Sequence, residues 1–316
     1  MIEEDFYCIK NYKNNKGHNV HRKTFDDTQK LVKYLKNGEV NTNIFDHTSS
    51  TKRKERGFND FDSLQDAISA LEFGTDIYFD KFNIEFKKIN EFIKKHSKSL
   101  KPKFKNDLVG FMPIVPNYIL GNPVDMINQE YTKKVKPTIT LVVEKAMTCG
   151  YSSDNMISFS CIIFNLVQYL ERKGIRVELY VSSVFKCERE IFANKIKIKS
   201  FNQPLNIYRL QFPVIATDMF RRVGFRLLET CKELKNHSWS YGYGSTTLCK
   251  GNGYDIKQSN GEVTYTDDLK ELLDITEDDI LIPAYDYFDY RKDDKLSTTI
   301  KNIINATKLK NYINIK

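Results

Sequence analysis

The chain has 316 residues, 41% hydrophobic and 13% aromatic, which is enough apolar side chain to close a packed core and excludes a disordered protein. The length allows one large domain or two smaller ones. A formal charge of +8, from 49 Lys and Arg against 41 Asp and Glu, is a mild excess and does not by itself mark a nucleic-acid-binding protein.

The opening "MIEEDFYCIK" is acidic and lacks an apolar core, so no signal peptide is expected there. No apolar run approaches the roughly 18 residues that a membrane span needs. The six cysteines are dispersed without CxxC spacing, the pattern of a reducing compartment without disulfides. A cytoplasmic protein with no membrane partner is the expectation.

Residues 1–57 read as a variable polar segment with no sustained period, and "HTSSTKRKERG" (His47–Gly57) as a mobile loop. Residues 58–136 read as a helical region carrying a Pro-rich docking loop. In "FDSLQDAISALEFG", Asp62 or Ser63 can cap a helix, Leu64, Ile68 and Leu71 share one face, and Gly74 ends it. Phe82, Phe86, Ile89 and Ile93 continue a helical stripe, with the lysines of Lys81–Lys105 opposite. In "GFMPIVPNYILGNPVDMIN", three prolines forbid a continuous helix, and the apolar residues around them predict a docked loop.

Residues 137–316 read as an α/β domain. "TITLVVE" (Thr138–Glu144) is a β-branched run suited to a strand buried on both faces. A long apolar helix follows, capped by Ser153 or Asp154 and ended by Gly174, then a second strand over Ile175–Phe185. Strand, helix and strand with short connections imply a parallel pair. "NKIKIKSF" (Asn194–Phe201) alternates with period two and predicts a half-exposed edge strand, through which the chain could form a homo-oligomer.

"NQPLNIYRLQFP" reads as a Pro-bounded connection. "TDMFRRVGFRLLETCKEL" reads as a helix with Phe220, Val223, Leu227, Cys231 and Leu234 inward. Trp239–Gly253 is a Gly/Tyr loop, "TDDLKELLDITEDD" a solvated acidic helix, "DDILIPAYD" a late buried strand and "LSTTIKNIINATK" a closing helix. The order is that of a doubly wound, Rossmann-like α/β sheet preceded by a mainly helical N-terminal region.

That order of elements resembles a von Willebrand factor A-type domain. "VPNYILGNPVDM", "LVQYLERKGIRVELYV" and "NQPLNIYRLQFPVIATDMFRRVGFRLLE" further resemble an uncharacterised family of phage and prophage proteins. The resemblance covers roughly residues 58–310, and residues 1–57 lie outside it. It implies a phage or mobile-element source, hence the host cytoplasm, and supplies no catalytic residues. In metal-binding A-type domains DxSxS at the end of the first strand furnishes oxygen ligands. Here the stretch reads Glu144-Lys145-Ala146-Met147-Thr148: Ala146 cannot ligate, and Lys145 adds a cation.

The expectation is therefore no metal and no cofactor. Glu144, Thr148, Asp154 and Asp286 would form a metal-free contact surface at the end of the sheet where ligands approach. The implied function is a non-enzymatic protein-interaction module, with an AAA+ ATPase as the partner that fold-level analogy suggests.

The alternative is a nucleic-acid-binding or processing protein, using Lys94, Lys95, Lys98 and Lys101 with Arg221, Arg222 and Arg226. Catalytic patterns are thin. The P-loop and GxGxxG spacings are absent from the Gly/Tyr loop, no Ser sits in GxSxG, and all five histidines fall outside the recognisable α/β elements.

Overall fold

The computed structural model describes residues 8–14, 16–40, 60–96, 104–109, 112–129, 137–147, 152–187, 189–234, 245–246, 257–259, 262–264, 267–283, 303–304 and 307–313. The chain begins with two strands, β1 (Cys8–Lys13) and β2 (Asn19–Phe25), and then the helices α1 (Thr28–Asn37), α2 (Leu64–Phe73) and α3 (Phe79–His96). The short elements β3 (Phe104–Asp107), β4 (Met112–Pro113), α4 (Val115–Ile119) and β5 (Met126–Gln129) form a small separate sheet of order β3-β5-β4.

The centre of the molecule is β6 (Thr138–Glu144), α5 (Ser153–Arg172) and β7 (Arg176–Cys187), followed by β8 (Glu190–Lys199). Beyond β8 come α6 (Ile207–Ile215), a π-helical turn over Met219–Gly224 and α7 (Phe225–Glu229). Further along come β9 (Ser245–Thr246), the antiparallel pair β10 (Lys257–Ser259) and β11 (Glu262–Thr264), α8 (Asp267–Leu273), β12 (Ile280–Ile282) and a 3₁₀ turn at Lys308–Asn311.

β6 is the strand its sequence predicts. Leu141 and Val143 enter one core and Val142 the other, so the strand is covered on both faces. α5 is buried nearly all round, as its composition requires; Ser152 caps it by accepting from the Asn155 amide. Gly174 turns the chain at φ +81°, a left-handed conformation that suits glycine, and β7 returns parallel to β6, with Leu179 opposite Leu141.

The main sheet runs β1-β2-β8-β7-β6-β12. β8 is antiparallel to β7, while β2–β8, β6–β7 and β6–β12 are parallel pairs. Two expectations are corrected here. The N-terminal region is not mainly helical from its start, because β1 and β2 are strands of the main sheet. β8 is not an edge, because β2 occupies its outer side from Asn19–Glu190 to Phe25–Ile196. Assembly through an open β8 edge therefore has no edge to use.

The reason β2 escapes a reading of the sequence is chemical. Its central residues His21, Arg22 and Lys23 look solvated but are all buried. His21 meets Asn11 and Glu190, Arg22 donates to the Glu271 carbonyl and pairs with Asp274, and Lys23 donates to the Tyr34 hydroxyl. Each charge has a partner inside the fold, so a polar run builds an interior strand.

α1 packs on α2, α2 on α6 and the π-helical turn, and α3 on α5. Ser63 caps α2 and Gly74 ends it, as expected. Phe220, Val223, Leu227, Cys231 and Leu234 are all buried. The connection expected over 202–213 instead contains α6, capped by Asn206, with Pro213 inside its last turn. Pro213 lacks the amide that would continue the ladder, which hides the helix in the sequence. No helix among the described residues is long and apolar enough to cross a membrane. The segment 47–57 and most of 239–253 and 296–308 lie outside the described residues.

Candidate functional site

The end of β6 is closed. Glu144 is fully buried and its Oε2 accepts from Ser182 Oγ at 2.6 Å. Oε1 accepts from the amides of Ala146 at 3.0 Å and Val184 at 3.1 Å. Desolvation pushes its pKa up to about 7 against these three hydrogen bonds, which favour the anion. Lys145 is buried too; its Nζ donates to the Val214 carbonyl at 2.7 Å and to Ser160 Oγ at 3.1 Å. Burial pulls its pKa down to about 7.

Met147, Met156, Thr217 and Phe220 close a small cavity over the Lys145 side chain. Of the other residues expected at this contact surface, Asp154 lies exposed in the first turn of α5, where Lys81 from α3 pairs with it at 2.8 Å. Thr148 and Asp286 lie outside the described residues. Among the described residues no three His, Cys, Asp or Glu side chains are placed to share a metal ion.

The arginines of the nucleic-acid reading divide. Arg222 is almost wholly enclosed; its Nε donates to Asp218 Oδ1 at 2.7 Å and its Nη2 to the carbonyls of Phe61 and Asp62. Asp218 also accepts from the amides of Asp60 and Phe61, and burial raises its pKa to about 6. This network ties the lead into α2 to the π-helical turn. Arg226 reaches the Gly38 carbonyl and Glu229, and Arg221 lies over the Phe220 ring. Lys94 and Lys95 belong to the end of α3, with side chains outside the described set, as Lys98 and Lys101 are altogether.

Among the described residues, the small β3-β5-β4 sheet with α4 carries a run of exposed apolar side chains. The sequence predicts this Pro-rich stretch to be docked, and the structure corrects that: no residue of β4 or α4 is buried. It holds its shape through its own hydrogen bonds. Ile114 N donates to the Asp125 carbonyl at 2.6 Å, and Asn117 Nδ2 to the Val124 carbonyl at 2.9 Å. Its apolar side chains face outward, with Val109 at 75% exposure, Tyr118 at 70%, Ile119 at 74% and Leu120 at 81%. Leu108 and Val115 extend the same patch along the chain. These residues carry no catalytic pattern and read in the sequence as core, so composition alone gives no signal that they are a surface.

A family model described as a domain of unknown function (DUF7192) matches residues 9–311, from within β1 to the 3₁₀ turn near the end of the chain. No curated protein and no solved structure is significantly similar to the chain.

Proposed function

The chain belongs to the DUF7192 family, and we propose that this member is a non-enzymatic interaction module whose contact surface is formed by the outward-facing side chains of Leu108, Val109, Val115, Tyr118, Ile119 and Leu120, the Leu108–Leu120 patch. The observation that carries this reading is the exposure of large apolar side chains on a small, internally hydrogen-bonded projection. Soluble proteins rarely leave such side chains clustered in water, and where they do the patch marks an interaction site. Glu144 is no part of this contact surface, because a carboxylate enclosed by Ser182, Ala146 and Val184 offers nothing to a partner.

An A-type likeness belongs to the same reading. It is supported by the order β6, α5, β7, β8 and then helices before β12, and by β12 pairing on the other side of β6. The covered outer side of β8 departs from it. By that analogy the partner is a protein, with an AAA+ ATPase the class to try first, and the source is a phage or related mobile element.

The test is Ile119→Glu with Leu120→Glu in the full chain. Both side chains are exposed, so the fold should be kept while a purified partner, or one captured by crosslinking, is lost. Undiminished association of the variant would remove the patch as the contact surface. Salt-sensitive retention on DNA, unchanged in this variant and abolished by Lys94, Lys95, Lys98 and Lys101→Glu, would favour the nucleic-acid alternative.

A further inference from the structure

A groove of about 380 Å³ lies at the opposite end of the sheet from Glu144. Ile198 and Lys199, the last residues of β8, line it, and so does Thr28, which begins α1 just after β2. β2 and β8 are parallel neighbours. The groove thus sits outside the carboxyl ends of a parallel pair, the position where open α/β sheets take ligands. Its volume falls within the range of small-molecule sites.

The charges around it do not cancel. Lys199 is satisfied by Glu171 at 2.7 Å and by the Val177 carbonyl at 2.9 Å. Glu72 is satisfied by Lys36 at 2.6 Å. Arg209, in the first turn of α6, lines the groove and has no ion-pair partner among the described residues. The apolar part of the wall comes from Leu71, Leu210 and Pro213. A guanidinium with no ion-pair partner among the described residues, set beside an apolar wall, selects an anion attached to an apolar body.

We propose that this groove binds a small molecule bearing a carboxylate or phosphate on an apolar body, with the guanidinium of Arg209 as its anion contact. The site stands apart from the Leu108–Leu120 patch and does not rest on the docking reading.

The test titrates benzoate and phenyl phosphate into the full-length protein by saturation-transfer NMR, with benzyl alcohol as the neutral control. The expected result is saturable binding of at least one anion, at roughly millimolar dissociation constant or tighter, and about tenfold weaker binding of benzyl alcohol. Arg209→Gln should weaken the anion about tenfold and leave benzyl alcohol unchanged, while Arg209→Lys restores part of the loss. A preference for phenyl phosphate over benzoate identifies the natural anion as a phosphate, and the reverse as a carboxylate. Ile119→Glu with Leu120→Glu should change none of these values. No saturable binding, equal affinity for benzyl alcohol, or an Arg209→Gln variant indistinguishable from wild type would each overturn the proposal, and loss of binding in the Ile119/Leu120 variant would assign the probe to the exposed patch instead.

Discussion

Glu144 and Lys145 are adjacent in the chain, yet their charged ends are buried on opposite faces of the sheet. Glu144 turns toward Ser182 and the Val184 amide, on the side of the smaller core. Lys145 turns toward Ser160 of α5 and the Val214 carbonyl of α6. The pair forms where β6 stops alternating between two covered faces, and each group meets the interior alone.

Their shifts have opposite signs and both penalise the charged form near neutrality. The folded pKa of Glu144 is raised from 4.5 to about 7. Its contribution to stability is therefore complete below pH 4.5 and is lost as pH rises to about 7. That of Lys145 is depressed from 10.5 to about 7, so its contribution is complete above pH 10.5 and is lost as pH falls to about 7. Glu144→Gln keeps an acceptor for the two amides and a donor for Ser182 while removing the titration. The stability difference between this variant and wild type should shift in the variant's favour by about 3 kcal/mol between pH 4.5 and pH 7.5, read from urea unfolding at both pH values. A difference that does not move with pH would show that Glu144 titrates normally.

The parts of the fold legible in the sequence are those whose side chains advertise their burial. Thr138–Glu144 and the α5 helix are apolar enough that nothing but an interior position suits them. β2 is illegible, and β8, though legible as a strand, is misplaced at an edge, for the converse reason. Lys195 lies over the Tyr180 ring and donates to the Asp274 carbonyl, and Lys197 pairs with Glu178, so the alternating lysines of "NKIKIKSF" cover a sheet face instead of meeting bulk water. The same ambiguity acts in reverse at Val115–Leu120, where apolar letters suggest a docked segment and the side chains stand outside. The end of β6 is locatable from "ITLVVEKAMT"; that Glu144 is enclosed against β7 and Lys145 beneath α5 and α6 follows only from tertiary packing.

The Asp218–Arg222 pair predicts a strong asymmetry between single and double variants. Arg222→Met alone leaves Asp218 buried without its cation and should cost about 3–5 kcal/mol. Combining it with Asp218→Asn removes the stranded charge and keeps an acceptor for the Asp60 or Phe61 amide. The double variant should therefore be the more stable of the two by urea unfolding. If it is less stable than Arg222→Met, the pair is not the source of the cost.

Gly74 is held at φ +95° where α2 ends against α6. A Cβ there would lie 2.7 Å from Cε1 of the Tyr208 ring and 2.9 Å from the Tyr208 carbonyl oxygen, closer than real contacts allow. Gly74→Ala should destabilise by about 1–3 kcal/mol, from the strained dihedral and the clash together. Tyr208→Ala should cost little alone, because half of that side chain is exposed. In the double variant it should return only part of the loss, since the carbonyl and the dihedral remain. Full recovery in thermal unfolding would mean that the ring is the whole obstacle.

The Leu108–Leu120 patch makes a prediction that separates contact from stability. Ile119 and Leu120 stand almost free of the rest of the protein, so replacing both with Glu removes little packing. The unfolding free energy should change by no more than about 0.5 kcal/mol. An environment-sensitive dye such as anilinonaphthalene sulfonate should bind the native wild-type chain and bind the variant far less, because the apolar surface that attracts it is gone. A large loss of stability in the variant would show that these side chains pack against the body of the protein, and the patch would then be part of its core.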